Sequence, residues 1–298
     1  MKRFASAAIA VLLMINMSSC VYTLNNDDLG EPDKKAEEDK SVYIRKLSFD
    51  GRKYIYEGAS DDIMANGNTI TIRAAGDYLV GGELIDGSLM IEVKSHETVR
   101  LILDGVSISS SKSVPIKVNS AACVILELAT DSVNILSRLS SIPLKDKISL
   151  YPDACIESIC NIIVTGNGSL AINSRADAAI SCLGRVDISG GKMTVSSAGN
   201  GIWVRDRFVM SGGALSISTA KIGILADDAA SSEGRIEINE GRLTASCSDA
   251  VLKAGRNICI SGGVGSFDSK VSYICERAEG DNIISGEIEI TSPQFPKN

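Results

Sequence analysis

The feature that most constrains this chain is a repeat of about 22 residues. Five segments align: NIIVTGNGSL at 161–170, RVDISGGKMT at 185–194, RFVMSGGAL at 207–215, RIEINEGRL at 235–243 and NICISGGVG at 257–265. Each is a strand-like alternation, a turn ending in glycine, and a second alternation. The turn glycines Gly168, Gly191, Gly213, Gly241 and Gly263 lie 23, 22, 28 and 22 residues apart, and the long interval holds an extra loop, DDAASSEG at 227–234. Earlier copies stand at 99–109 (VRLILDGVSIS) and 124–136 (VILELATDSVNIL). An apolar landmark precedes each later turn: Ile156, Ile180, Ile202, Ile224 and Val251. One coil therefore holds three short strands with period-two alternation.

An all-strand repeat of this length predicts a right-handed parallel β-helix of roughly eight coils. The L-x-x-L-x-L pattern of leucine-rich repeats and the G-G-x-G-x-D pattern of calcium nonapeptides are both absent. A β-sandwich, with turns every ~8–12 residues, is the weaker alternative. Stacked coils repeat every ~4.8 Å, so inward positions form columns of Ile and Val into which aromatic rings fit poorly. That accounts for an aromatic content of only 4% with one Trp. The expected organisation is a leader at 1–19, a tether at 20–42, a cap with lead-in strands at 43–97, the β-helix at 98–292 and a tail at 293–298.

The chain opens Met1-Lys2-Arg3, runs apolar to Met17 and then reads Ser18-Ser19-Cys20. A basic start, a short apolar run and small residues describe an export signal. Ser-Ser-Cys resembles a bacterial lipobox, which implies lipidation at Cys20, membrane anchoring and an outer-membrane or surface location. Residues 21–40 carry seven acids and three bases, the composition of a solvated tether. Loss of Lys2 and Arg3 would take the formal charge from −7 to −9. This acidic balance excludes a general nucleic-acid binder. The single histidine, His96, excludes multi-histidine metal centres. The other seven cysteines are an odd set without C-x-x-C spacing and are expected mostly as small core fillers.

The stretch Asn68–Val93 (NTITIRAAGDYLVGGELIDGSLMIEV), the segment VRLILDGVSIS, the DACI of Asp153–Ile156 and the Ser-Gly-Gly turns together resemble a known family. These are bacterial secreted β-helix proteins described as carbohydrate-binding domain-containing, typified by a clostridial surface protein that binds cellulose and polygalacturonate. The resemblance spans about residues 50–285. It implies a pectate-lyase-shaped binder of acidic polysaccharide, with calcium held by carboxylates. The family's paired acids before the inward Ile are thinned here. The residual candidate ligands are Asp153, Asp177, Asn200 and Asp249, while Lys221 and Ile222 leave one coil with none. Calcium asks for about six to eight oxygens, so an intact family site is not expected.

Two surface features suit an acidic glycan. Arg185, Arg207 and Arg235 open three successive coils in one register, with Arg256 one position off. Guanidinium forks grip carboxylates at two points, and nearby acids (Asp187, Asp206, Asp228, Glu237) could instead pair with them as ordinary surface bridges. Trp203 follows inward Ile202 and so points outward, beside Arg205 and Arg207; it could stack on a sugar or pack on Leu225. Arg185, Trp203, Arg205, Arg207 and Arg235 are the candidate binding residues of a non-catalytic surface binder. A polysaccharide lyase with Arg207 or Lys221 as base is the second reading. An adhesive rod using a Trp203–Leu225–Leu252 line is the third.

Overall fold

In the computed structural model the described residues are 44–141, 151–227, 234–268, 271–275 and 283–284. Cys20, the leader, the tether and the tail lie outside them. The described chain forms a 15-stranded and a 10-stranded sheet, and its one helical element there is a 3-10 turn at Ser60–Asp62. It is a parallel β-solenoid of about seven turns, close to the expected right-handed β-helix.

Each coil contributes to three faces. Asn200–Val204 lies on the first, the start of Arg207–Thr219 on the second, and the end of that same strand on the third. On the first face Ile116, Ile156, Ile180, Ile202, Ile224 and Leu252 stack rung on rung, all buried. On the second, Val124, Ile162, Val186, Phe208, Ile236 and Ile258 do the same. Burying each such side chain contributes about 1.5–3 kcal/mol, so columns of them hold the coils together.

The corner between second and third faces needs a left-handed residue. Gly191, Gly213, Gly241 and Gly263 supply it, with φ of 74°, 72°, 95° and 86°. In the preceding coil the left-handed residue is Gly166 (φ 93°) rather than the expected Gly168.

One register differs from the sequence reading. Ile224 pairs with Leu252, not Val251. Ala250, Val251 and Leu252 are all buried, so hydrophobicity alone could not set the register there. The parallel coils also begin well before residue 98. Thr69–Ile72 already pairs in parallel with Ser88–Glu92, and Gly76–Ile85 with Thr98–Ser110. The antiparallel pairs are Ile44–Gly51 with Lys53–Glu57 and Ile63–Asn66 with Thr69–Ile72, and Ile44–Gly51 also pairs in parallel with Gly76–Ile85. Such antiparallel pairs cover an end that would otherwise offer an open edge.

Asp62 pins this cap. Its Oδ2 accepts from Arg45 Nε at 2.6 Å and from the Tyr56 hydroxyl at 2.9 Å. Burial pushes its carboxyl up, but the Arg45 and Tyr56 hydrogen bonds and the Arg45 charge outweigh that and hold it below the usual carboxylate range. A depressed carboxylate adds stability above its unfolded value, near pH 4, and that stability is lost as pH falls through the folded value. The urea midpoint is therefore expected to fall below about pH 4, with a flatter pH dependence in Asp62→Asn.

Candidate functional site

Outward rungs of the first face run Met90, Lys117, Glu157, Ser181, Trp203, Leu225, Lys253. Leu252 is buried and Lys253 takes the rung beside Leu225. The apolar line Trp203–Leu225–Leu252 therefore does not exist as a surface feature.

The coil between Ile116 and Ile156 is 40 residues long, and its extra residues fall in sequence between Arg138 on the third face and Ile156 on the first. Tyr151, in that interval, stands beside Trp203, with ring centroids 6.1 Å apart and planes tilted 39°. Tyr151 also walls a cavity of about 230 Å³ shared with Lys117, Asn119, Glu157 and Ser181. Ser181 is only 3% exposed although its rung faces outward. Lys117 Nζ lies 3.8 Å from Glu157 Oε2 across the floor. The cleft thus combines the Tyr151 ring, a cation, an anion, an amide and a hydroxyl, with Trp203 packed beside that ring. Its volume is below the ~300–1,000 Å³ of drug-sized pockets, which suits one sugar ring of a longer chain.

The arginine row is real and its members differ. Arg185, Arg207 and Arg235 pair rung to rung, and the next rung is Asn257. Arg185 grips Asp187 with two nitrogens, Nε to Oδ1 at 2.6 Å and Nη2 to Oδ2. Arg207 reaches Glu237 at 3.5 Å. Arg235 and the exposed Arg205 have no ion pair among the described residues. Two members are thus held as ordinary surface bridges, while Arg205 and Arg235 have no such bridge among the described residues.

The oxygen ligands suggested for calcium are engaged within the protein. Asp153 is fully buried with Arg138 Nη2 3.4 Å from its Oδ2. Asp177 Oδ2 accepts the Asp153 N–H at 3.3 Å, and Asn200 Oδ1 accepts the Ile222 N–H at 3.3 Å. Asp249 follows the rung of Lys221 rather than that of Asn200, since the Asp249 N–H donates to the Lys221 carbonyl. Among the described residues no three His, Cys, Asp or Glu side chains gather around a point that could hold a metal ion.

Of the cysteines, Cys155, Cys182 and Cys247 are buried as expected of core fillers. Desolvation pushes the Cys182 thiol up to about 12. Cys123, Cys160 and Cys259 are only half-buried; Cys123 and Cys259 stand on outward rungs beside Asn161 and Glu237.

A second cavity, about 240 Å³, runs over the third face along Thr194, Ser216, Thr244 and Ser266. Its lining offers hydroxyls without a charge or an aromatic ring. Repetition favoured the arginine row and Trp203 in the sequence. Tyr151, Lys117 and Glu157 could have been found only from the 40-residue interval, which marks an insertion next to the first face.

Residues 66–289 match the family described as carbohydrate-binding domain-containing protein. A curated protein of that description from Acetivibrio thermocellus is 31% identical over 152 residues, 51% of this chain and 53% of the relative. The chain thus matches about half the length of that relative. The solved polysaccharide lyase-like protein from C. thermocellum, a gadolinium derivative, is 26% identical with a TM-score of 0.76, covering 83% of this chain and 99% of that one.

Proposed function

Because the chain belongs to the carbohydrate-binding domain-containing family, we propose that it binds polysaccharide along the side of the solenoid, at the Tyr151–Trp203 cleft. The observation that carries this reading is the aromatic pair beside a cavity floored by Lys117 and Glu157. Aromatic rings meet the apolar faces of sugars, and charged or amide groups take their hydroxyls.

The preferred ligand is an acidic, polygalacturonate-like chain. Arg205 and Arg235, without acid partners among the described residues, would take its carboxylates two-point fashion. On a panel of acidic and neutral polysaccharides, the protein is expected to retain polygalacturonate over neutral chains. Arg205→Gln with Arg235→Gln should lower acidic-glycan affinity by about 10-fold or more, at ~1.5–3 kcal/mol per charge-assisted hydrogen bond lost. Equal retention of neutral and acidic chains would remove the acidic specificity.

A lyase reading draws on the likeness to the solved polysaccharide lyase-like protein. Its base would be Arg207, which is paired with Glu237, or the exposed Lys221. Absorbance of unsaturated uronate product separates it from binding alone. Anchoring through a lipid on Cys20, placing the solenoid at the bacterial surface, belongs to the same proposal. Absence of a fatty-acid label on Cys20 in cells would remove it.

A further inference from the structure

In three coils a short hydroxyl closes the turn from the third face to the first. Ser174 Oγ donates to the Ala178 carbonyl at 2.6 Å and accepts the Ala176 N–H at 3.2 Å. Ser197 Oγ accepts the Gly199 N–H, and Ser110 Oγ accepts the Ser113 N–H. Arg138 stands on this same rung, between Ser110 and Ser174. Here the long insertion follows in sequence, and the rung carries an arginine in place of a serine.

Arg138 reaches instead to Asp153, 15 positions later, where the chain rejoins the first face; both side chains are 0% exposed. Its Nη1 also donates to the Ser110 carbonyl at 3.4 Å. The far end is held independently, with the Ala178 N–H donating to the Asp153 carbonyl and the Asp153 N–H to Asp177. Tyr151 lies two residues before this fixed point and packs on Trp203, two coils beyond Ile156 or roughly 10 Å along the stack.

We propose that the buried Arg138–Asp153 pair is a positioning clamp that closes the insertion and sets Tyr151 against Trp203, presetting the aromatic wall of the cleft. The consequence for ligand rests on the glycan reading above; the positioning does not.

The test compares the full chain with Arg138→Met/Asp153→Leu, with Arg138→Gln/Asp153→Asn and with Tyr151→Ala. Its readout is acrylamide quenching of Trp203, the only tryptophan. A folded double variant should show Trp203 as accessible as Tyr151→Ala does. It should also lose about 2- to 10-fold in polygalacturonate affinity, the worth of one aromatic contact. The glutamine–asparagine pair gives the same reading should the apolar pair fail to fold. Wild-type quenching in a folded double variant, or in Tyr151→Ala, would overturn the clamp. A changed quenching in a protein that binds no glycan would uphold the clamp and remove the glycan reading.

Discussion

Asp153→Ala is expected to cost about 3–5 kcal/mol of stability, because it strands a buried guanidinium without its counter-charge. Arg138 and Asp153 are each 0% exposed, and Arg138 Nε already lacks a hydrogen-bond partner among the described residues. The desolvation of the remaining ion is then uncompensated. Replacing both partners with apolar residues should be far milder, since a buried ion pair and a packed apolar pair are often of similar stability. Urea unfolding followed by far-UV circular dichroism distinguishes these outcomes. A single variant with an unchanged midpoint would show that the charges are not buried together.

The second large effect lies at the glycine corner. A Cβ on Gly213 would sit 2.7 Å from the Gly190 carbonyl oxygen and 2.8 Å from that of Gly191, at a φ of +72°. Neither neighbour is a flexible side chain. Gly213→Val is therefore expected to lose about 2–5 kcal/mol, from the left-handed backbone together with steric overlap. Gly105 is the control: its φ is +71°, but nothing lies within 4 Å of its Cβ position. Gly105→Asn should cost no more than about 1 kcal/mol, since Asn tolerates this region. Equal losses at the two positions would mean that the backbone angle alone, without coil-to-coil contact, sets the cost.

The solenoid was legible because its cause is periodic. Most coils repeat an inward aliphatic residue and a corner glycine, so self-similarity and architecture are one observation. The arginine rungs 185, 207 and 235 were legible for the same reason. What departs from the period was not. The 40-residue coil between Ile116 and Ile156 has no repeat to align with, so Tyr151 stayed unread. Asp153 looked like an aspartate in line with Asp177, because a partner 15 positions away across an insertion leaves no local trace. The flanking Pro143 and Pro152 were the available hint of a break there. Leu252 was misplaced by one rung since Ala250, Val251 and Leu252 do not alternate.

The glycan-binding cleft is tested most directly by titrating the protein with polygalacturonate while following Trp203 emission. A single tryptophan, packed on the Tyr151 that walls the cleft, makes the signal specific. A saturable change in emission is expected, with Trp203→Ala binding about 2- to 10-fold more weakly in a label-free assay. Emission that stays constant while binding saturates would place the ligand elsewhere on the solenoid and contradict the assignment.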